Sequence, residues 1–414
     1  MKKRQIAGFK YIEGGVCASL GFTAGGLNCG LNPNPEKNDF GMIYSEKDCN
    51  TGCVYTTNLV KGAPILVTKA NLKKSGNISR AVIANSKNAN TCNKDGEFIA
   101  GRMCELAGKA LGIDPSTVIV ASTGVIGQPL SVEPFEKHID ALVKDLSKDG
   151  HSRAEWAVMT TDTVPKEVAV EFEIEGKTCH LGGMAKGSGM IHPNMATTLN
   201  FITSDVCISS EMIQKALDKT VKVTYNCISV DRDTSTNDMV SVMANGLAGN
   251  SMITGEGSSY DKFESALLMV MESLAVMLAS DGEGAGKLLT CKVIGAPSWE
   301  CGITCAKSII CSNLFKCAMY GEDANWGRVL CAIGYSGADV DIQKIDVTFE
   351  SEKGSLPLCQ GGYGIPFSEE FAKEVFAEDE IEIHVNLNQG SCEATAWGCD
   401  MTLDYVRING DYRS

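Results

Sequence analysis

A threonine that follows a glycine-rich segment is the first place in this sequence where chemistry can be predicted. Residues 182–189 contain four glycines, and the chain then runs through Ala196 into Thr197. A threonine hydroxyl is a weak nucleophile unless a base takes its proton, and the α-amine of the same threonine, with a pKa of about 7.7–8.0, suits that role. That amine exists only after the chain is cut between Ala196 and Thr197. The segment predicts either a self-cleaved enzyme with Thr197 as nucleophile or a plain surface loop that leads into a core strand.

The elements on either side of this segment must hold Thr197. Residues 168–174 alternate apolar and polar side chains, a turn follows at 175–177, and residues 178–181 have strand composition, which predicts a β-hairpin. Residues 197–203 again have strand composition. Thr197 is therefore expected to head a strand, with a pliable glycine-rich loop behind it.

A second candidate position lies at Thr123 and Gly124. The β-branched run at 117–120 predicts a strand that ends at these residues, and the apolar spacing over 131–147 predicts a helix after them. We expect Thr123 and Gly124 where a strand gives way to a loop. An ordinary strand-end turn is the alternative interpretation.

Strand and helix patterns alternate along the whole chain, without a long linker or an internal repeat. This alternation predicts an α/β fold, a layered sandwich of central β-sheets flanked by helices. At 414 residues, 44% of them hydrophobic, the chain is long enough for two lobes or one large sandwich. The apolar stretch at 266–279 carries Glu272 and is too short to span a bilayer, so it predicts a buried helix.

The net charge of −14 and the isoelectric point near 4.9 argue against a nucleic-acid surface or an anionic membrane as partner. The opening residues lack an apolar run of the length that an export signal needs. We therefore expect a cytoplasmic protein with no nucleic-acid or membrane partner, whose acidic excess keeps it soluble.

Eighteen cysteines in a long chain without an export signal favour a reducing compartment, where cysteines act as small buried hydrophobes. The closest pairs, Cys49/Cys53 and Cys301/Cys305, are spaced C-x₃-C with no histidine pair nearby. We therefore expect no metal site.

The glycine-rich loop at 282–287 raises the question of a bound nucleotide. It lacks the first glycine of a phosphate-binding loop and is followed by Leu288 where serine or threonine would bind magnesium. No nucleotide or other cofactor is predicted.

The segment from Lys186 to Thr197, KGSGMIHPNMAT, closely resembles the self-processing site of the ornithine acetyltransferase (glutamate N-acetyltransferase) family. Seven further segments extend this resemblance over essentially the whole chain. They are ASTGVIG at 121–127, MTTDT at 159–163, DTSTND at 233–238, DGEGAGK at 281–287, DANWGR at 323–328, GYSGA at 334–338 and NGDYRS at 409–414.

In that family the precursor is cut before the threonine and both pieces stay together. The resemblance implies an α chain of residues 1–196 and a β chain of residues 197–414, in a heterotetramer of two α and two β chains with an N-terminal-nucleophile-like fold. It implies a ping-pong reaction in which N²-acetylornithine acylates Thr197, ornithine leaves and glutamate accepts the acetyl group. No cofactor is needed. Some members also use acetyl-coenzyme A as donor, which leaves open an amino-acid N-acetyltransferase activity here.

The resemblance also assigns roles to single residues. Thr123 and Gly124 match the positions that form the oxyanion hole. The residues that match substrate-holding positions are Thr160, Lys186, Thr197, Glu283, Asn409 and Ser414. A lysine and polar side chains suit the α-carboxylate and α-amine of an amino acid, and Glu283 can neutralise an amine or relay a proton.

Four residues depart from the family pattern. Lys87 and Arg232 stand where glycine is expected, Thr198 where methionine is usual and Ser414 where threonine is usual. Ser414 keeps a hydroxyl, Thr198 is placed to change the speed of cleavage, and the two charged residues are expected to tighten their loops. None removes a group that the chemistry requires.

Two other functions remain open. A related N-terminal-nucleophile amidase or aminopeptidase would cut itself in the same way but release the acyl group to water, without glutamate. A binding protein that senses acetylated amino acids would keep an intact chain of 414 residues.

Overall fold

The structure, a computed structural model, describes residues 3–192 and 198–411. The strands of this part of the chain are β1 (Lys10–Ile12), β2 (Phe22–Leu27), β3 (Phe40–Tyr55), β4 (Ile78–Asn85), β5 (Val118–Ser122), β6 (Glu167–Ile174), β7 (Lys177–Lys186), β8 (Leu199–Ser204), β9 (Ile228–Ser229), β10 (Met239–Ala244), β11 (Leu288–Ala296), β12 (Asp346–Ser351), β13 (Gly354–Gln360), β14 (Tyr363–Gly364), β15 (Glu380–Asn386) and β16 (Cys392–Cys399). Its α-helices are α1 (Ala63–Ser75), α2 (Gly96–Leu111), α3 (Glu133–Asp145), α4 (His151–Val158), α5 (Ser210–Val223), α6 (Ser258–Ser280), α7 (Trp299–Ile310), α8 (Asn313–Tyr320), α9 (Trp326–Gly334), α10 (Glu369–Phe376) and α11 (Leu403–Gly410).

Two mixed β-sheets organise the described residues. The first has nine strands, of which eight run in the order β1-β6-β7-β8-β10-β3-β4-β5, while β2 pairs with β3. The second has seven strands in the order β14-β13-β12-β15-β11-β16-β9. On the first sheet α4 packs against β2 and β3, and on the second α7 packs against β11 and β16. The predicted α/β sandwich of sheets flanked by helices is confirmed.

Helix α6 lies between the two sheets, and α5 packs against α6 and against β3 of the first sheet. α6 contacts β6 and β7 of the first sheet as well as β11 and β16 of the second, and it shares one hydrophobic cluster with α5. Within the described ranges α6 alone is long and apolar enough to cross a membrane, with a mean hydropathy of 1.6, but 61% of that window is buried inside the protein. The buried helix predicted at 266–279 is confirmed.

Strand β8 lies in the middle of the first sheet. It pairs antiparallel with β7 on one side and parallel with β10 on the other, and β10 pairs antiparallel with β3. Chain segments from before and after residues 193–197 are therefore neighbouring strands of one sheet. The division into residues 1–196 and 197–414 stays a prediction, because the cleavage position itself lies outside the described residues.

The strand predicted before Thr123 and the predicted hairpin are confirmed, with one correction, whereas the start of the strand predicted at Thr197 lies outside the described residues. β5 ends at Ser122, directly before Thr123, and β6 and β7 form the predicted hairpin. However, β7 continues to Lys186, so the first half of the glycine-rich segment is strand rather than pliable loop. A Cβ atom at Gly182 would lie 2.0 Å from the carbonyl oxygen of Gly15. Glycine is needed there because another backbone passes close by.

The cysteines behave mostly as buried apolar groups. All are free thiols and most are buried, with Cys92, Cys317 and Cys331 exposed. Burial raises the pKa of Cys49 and of Cys104 to about 12, so these thiols stay protonated at neutral pH. Their predicted role as small buried hydrophobes is confirmed for the buried majority.

Lys87 and Arg232, which stand where glycine was expected, both adopt left-handed backbone conformations. Their φ angles are 71° and 72°, and both side chains are exposed. A residue with a Cβ atom is strained in this region by roughly 1–2 kcal/mol, whereas glycine is not. The expectation that glycine suits these two positions is therefore supported by the backbone.

Replacing Lys87 or Arg232 by glycine is expected to stabilise the protein. Relief of the left-handed strain should exceed the chain entropy that glycine adds to the unfolded state, for a net gain of roughly 0.5–1 kcal/mol in the free energy of unfolding. Chemical denaturation measures it. Lys37→Gly, at an exposed position with ordinary φ, is the control and should lower stability. A loss of stability in Lys87→Gly as large as in the control would contradict the strain argument.

Candidate active site

One cavity of about 380 Å³ gathers the predicted site residues. The six that the structure describes all line it: Thr123, Gly124, Thr160, Lys186, Glu283 and Asn409. The other lining residues are Ala89, Val125, Ile126, Thr161, Gly189, Met190, Ser235, Thr236 and Asn237. The predicted nucleophile Thr197, its neighbour Ala196 and the predicted substrate contact Ser414 lie outside the described residues.

Thr123 and Gly124 present donors to this cavity. The backbone N–H of Thr123 donates to the carbonyl oxygen of Asn85 at 2.9 Å, which leaves the Thr123 hydroxyl as its free donor. Neither this hydroxyl nor the N–H of Gly124 has a hydrogen-bond partner among the described residues. Two uncommitted donors on adjacent residues are what an oxyanion hole requires.

Position 124 accepts only glycine. Its φ is 126°, and a Cβ atom there would lie 2.2 Å from the carbonyl carbon of Lys87. The loop that approaches so closely is held by Asn237, whose Nδ2 donates to the carbonyls of Ala89 at 2.6 Å and Ser122 at 2.9 Å. Asn237 has no predicted role of its own beyond its place in the DTSTND segment. A buried amide that bridges a loop and a strand end has no local sequence signal.

A buried ion network holds three segments of the cavity wall together. The ammonium of Lys166 lies 2.8 Å from Oδ1 of Asp162 and 2.5 Å from Oδ2 of Asp281, and these three side chains are buried. Asp162 also accepts the backbone N–H of Thr160 at 3.1 Å and of Gly187 at 2.7 Å. Burial opposes ionisation of Asp162, but Lys186 and Lys166 outweigh it and lower the pKa of this carboxyl below its usual value.

Asp281 extends this network to the loop that carries Glu283. The carbonyl of Asp281 accepts the hydroxyl of Ser188 at 2.6 Å, and the N–H of Glu283 donates to the carbonyl of Ser188 at 3.0 Å. A Cβ atom at Gly189 would lie 2.3 Å from the carboxyl carbon of Glu283. Glycine at 189 therefore makes room for the Glu283 carboxylate.

The last helix reaches the cavity through Asn409. Its Nδ2 donates to Oε2 of Glu283 at 2.6 Å, and the hydroxyl of Thr402 at the start of α11 donates to the carbonyl of Gly284 at 2.7 Å. A Cβ atom at Gly284 would lie 2.8 Å from the backbone of Tyr405. The C-terminal helix thus packs directly on the Glu283 loop.

Lys186 gives the cavity its positive charge. It is the last residue of β7, its exposed fraction is 9%, and its ammonium makes no hydrogen bond or ion pair with the rest of the described chain. Its charge acts on Asp162 from a distance, but its hydrogen-bond donors stay available, and a nearly buried ammonium with available donors favours an anionic ligand. Beside it, the Glu283 carboxylate keeps acceptor capacity for an amine.

Hydrogen bonds of backbone N–H and carbonyl groups hold the described residues on either side of 193–197. The carboxylate of Asp231 accepts the N–H groups of Met190 at 2.6 Å and Ile191 at 2.9 Å, and the N–H of Met239 donates to the carbonyl of Thr198 at 3.0 Å. His192, just before the segment 193–197, lies in no regular element. Burial, with Lys307 and Arg232, lowers the pKa of His192 to about 4, so it is neutral at pH 7.

Two features outside the cavity concern the binding of a phosphate group or a metal ion. The N–H groups of Gly286 and Lys287 donate to Oδ1 of Asp400 at 2.8 and 3.1 Å, so a carboxylate already occupies the donors of the glycine-rich loop. In the described ranges the atoms of Glu350, Glu382 and His384 come close enough to share a metal ion, but Lys292 already pairs with Glu382. Neither feature borders the cavity.

The chain is similar in sequence to known proteins over nearly its whole length. A family model described as the ArgJ family matches residues 23–414. Arginine biosynthesis bifunctional protein ArgJ 1 of Clostridium acetobutylicum is 48% identical over 394 residues, which cover 95% of this chain and 96% of that protein. The bifunctional protein ArgJ of Caldanaerobacter subterraneus is 45% identical over 404 residues, which cover 97% of this chain and 99% of that protein.

Two solved structures are also similar to this chain in sequence. A crystal structure of arginine biosynthesis bifunctional protein ArgJ from Bacillus halodurans is 45% identical, with a TM-score of 0.49, and covers 51% of this chain and 97% of its own. A structure of ornithine acetyltransferase complexed with ornithine from Mycobacterium tuberculosis is 31% identical, with a TM-score of 0.41, and covers 45% of this chain and 100% of its own.

Replacing Lys166 by methionine is expected to destabilise the protein by about 3–5 kcal/mol, because two buried carboxylates lose their counter-charge. Urea denaturation measures the free energy of unfolding. The control is Lys137→Met, which removes an ion pair with Glu133 whose side chains are 64% and 66% exposed, and it should leave stability unchanged within error. Equal effects of the two substitutions would show that the buried network is not a structural anchor.

Replacing Glu155 by glutamine is expected to make stability less dependent on pH. Burial, reinforced by Glu167, raises the pKa of Glu155 to about 9, so the folded protein keeps a proton that the unfolded chain releases above its ordinary pKa. The stabilisation is complete at low pH and is lost as pH rises from about 5 to 9, by up to about 1.4 kcal/mol per pH unit.

Thermal unfolding of wild type and Glu155→Gln between pH 5 and 9 tests this. The melting temperature of the variant should rise relative to wild type as the pH increases. Glu97→Gln, on the exposed surface of α2, is the control and should show no such trend. A constant difference between Glu155→Gln and wild type at every pH would mean that Glu155 is ionised in the folded protein.

Proposed function

The chain belongs to the ArgJ family, and on that premise we propose that it is a glutamate N-acetyltransferase of arginine biosynthesis, which moves the acetyl group of N²-acetylornithine to glutamate. The observation that supports this proposal best is the single cavity lined by all six described residues with expected roles at the oxyanion or substrate. A smaller adjoining cavity reaches Thr198, one residue along the chain from Thr197.

Before any acetyl transfer, the chain cuts itself once between Ala196 and Thr197, which frees the α-amine of Thr197. That amine takes the hydroxyl proton as Oγ attacks the acetyl carbonyl of N²-acetylornithine. The hydroxyl of Thr123 and the N–H of Gly124 stabilise the oxyanion, a contribution of about 2.7–4 kcal/mol for each donor in comparable sites. The C–N bond then breaks, ornithine leaves with the transferred proton, and Thr197 carries the acetyl group as an ester.

Glutamate completes the cycle by the same chemistry in reverse. Its amine attacks the ester carbonyl, the oxyanion forms again at Thr123 and Gly124, and Thr197 recovers its proton. Lys186 binds a substrate carboxylate, and Glu283, held by Asn409, faces the amine. Thr160 and Ser414 complete the substrate site. The reaction exchanges one amide for another, so it needs neither a nucleotide nor a metal. Acetyl-coenzyme A serves as an alternative acetyl donor to Thr197.

The two pieces of a cut chain would remain associated for a structural reason. Strand β8 lies between β7 and β10, and β10 pairs with β3, so residues 197–414 contribute strands to the middle of a sheet built mainly from residues 1–196. Separation would break the β7–β8 and β10–β3 pairings and expose the backbone donors and acceptors along those strand edges. The α and β chains would then assemble as two copies of each in the cytoplasm.

Replacing Thr197 by alanine is expected to abolish both cleavage and acetyl transfer, because one hydroxyl performs both. Intact mass under denaturing conditions should give two fragments for wild type, divided between residues 196 and 197, and one chain for the variant. Transfer of labelled acetyl from N²-acetylornithine, or from acetyl-coenzyme A, to glutamate is then measured. Thr178→Ala, an exposed threonine on β7, is the control and should behave as wild type.

Two outcomes of this experiment would count against the proposal. An uncut wild-type chain would mean that Thr197 has no free α-amine and cannot act as an N-terminal nucleophile. Release of free acetate without glutamate, at the rate of transfer, would identify an amidase rather than a transferase.

A further inference from the structure

A small cavity of about 30 Å³ adjoins the main cavity and contains a carboxyl group for which the proposed function has no use. Its lining includes Lys186, Thr198 and Asp238. Asp238 is only 2% exposed, and its Oδ2 has no hydrogen-bond partner within the described ranges. A buried carboxyl oxygen without a partner is uncommon in folded proteins and calls for an explanation.

The sheet fixes Asp238 beside Thr198. β10 begins at Met239, which lies opposite Leu199 in the parallel pairing with β8. The N–H of Met239 donates to the carbonyl of Thr198 at 3.0 Å, and the carbonyl of Asp238 accepts the N–H of Thr56 at 3.0 Å. The backbone at 238 is therefore held from two sides, and its side chain is aimed into the small cavity.

Self-cleavage requires a proton-transfer group that acetyl transfer does not. In the uncut precursor the nitrogen of residue 197 belongs to a peptide bond, so it cannot act as the base that it becomes after cleavage. Another group must accept the hydroxyl proton of Thr197 and protonate the departing nitrogen. This requirement rests on the proposed function, because it assumes the cut between Ala196 and Thr197.

We propose that Asp238 is the proton-transfer group of self-cleavage. As Oγ of Thr197 attacks the carbonyl carbon of Ala196, one oxygen of the protonated Asp238 carboxyl accepts the hydroxyl proton. The other oxygen donates its proton to the nitrogen of Thr197 as the C–N bond breaks. The product is an ester between Ala196 and the Thr197 oxygen, Asp238 is protonated again, and water hydrolyses the ester to release the α-amine.

The chemistry of the small cavity supports this assignment. Burial raises the pKa of Asp238 well above its usual value, although Ser235 and Lys186 act in the opposite direction, and a neutral carboxyl can donate and accept at once. The other ionisable residue of its described lining, Lys186, is an ammonium that offers no acceptor. Glu283 and His192 lie outside this lining.

The test is the rate of self-cleavage in Asp238→Asn, followed by intact mass after rapid purification of the full chain. An amide has nearly the same shape but cannot pass on the proton, so cleavage should slow by about 100-fold or more. Asp238→Glu, which keeps the carboxyl, should recover part of the rate. The control is Asp205→Asn, a buried carboxyl that accepts the N–H of His180 just after the far end of β8, and it should be cut as fast as wild type.

A folding defect is separated from a chemical one by a second variant. Asp238→Ala leaves space for a small acid, so added formate should restore cleavage in a variant whose melting temperature does not change. Cleavage of Asp238→Asn at the wild-type rate would overturn the proposal. It would also be overturned if Asp238→Glu stayed uncut and a folded Asp238→Ala were not cleaved any faster with added formate. An uncut wild type would instead overturn the proposed function, so the two failures are distinguishable.

Discussion

The site depends on one buried ammonium. Lys166 lies between Asp162 and Asp281, and these two carboxylates also accept hydrogen bonds from Thr160, Thr163 and Gly187. The network thus joins three segments of the chain, at residues 160–166, at Gly187 and at Asp281. Charges this deeply buried are stable only when paired and hydrogen-bonded, so the three segments must stay together for the network to persist. Because Lys186 and the Glu283 loop directly adjoin these segments, the same pairing sets the shape of the cavity.

A second constraint is the close approach of other backbone segments or side chains to the chain, which glycine alone permits. Gly124 lies against the backbone of Lys87, Gly189 against the carboxylate of Glu283, and Gly284 against the start of α11. Each contact brings a reactive or binding group nearer than a side chain would allow. The glycines around the cavity therefore serve its geometry more than its flexibility. The part of the glycine-rich segment inside β7 follows the same rule.

Residue motifs predicted the members of the site but not what holds them. Thr123, Lys186 and Glu283 were expected from segments far apart in the chain, and all three line one cavity. The roles of Lys166 and Asn237 were not predicted. Lys166 pairs with Asp162 four residues away, but its second carboxylate, Asp281, and the carbonyls that Asn237 binds lie more than a hundred residues away, so no local pattern shows them. The periodicity of apolar residues predicts which face of a helix or strand is buried, but it does not predict which buried polar groups pair with each other.

The sequence by itself determined the α/β class, the hairpin ahead of the glycine-rich segment and the chemical types that any site could use, since these follow from local periodicity and side-chain chemistry. Only the tertiary structure decided that β8 lies between β7 and β10, that Lys166 is enclosed by two carboxylates, and that an Asp238 carboxyl oxygen without a described partner borders the same small cavity as Thr198. The reason is physical. Burial, desolvation and long-range pairing are properties of the packed chain, and no residue has them before the sheets and helices come together.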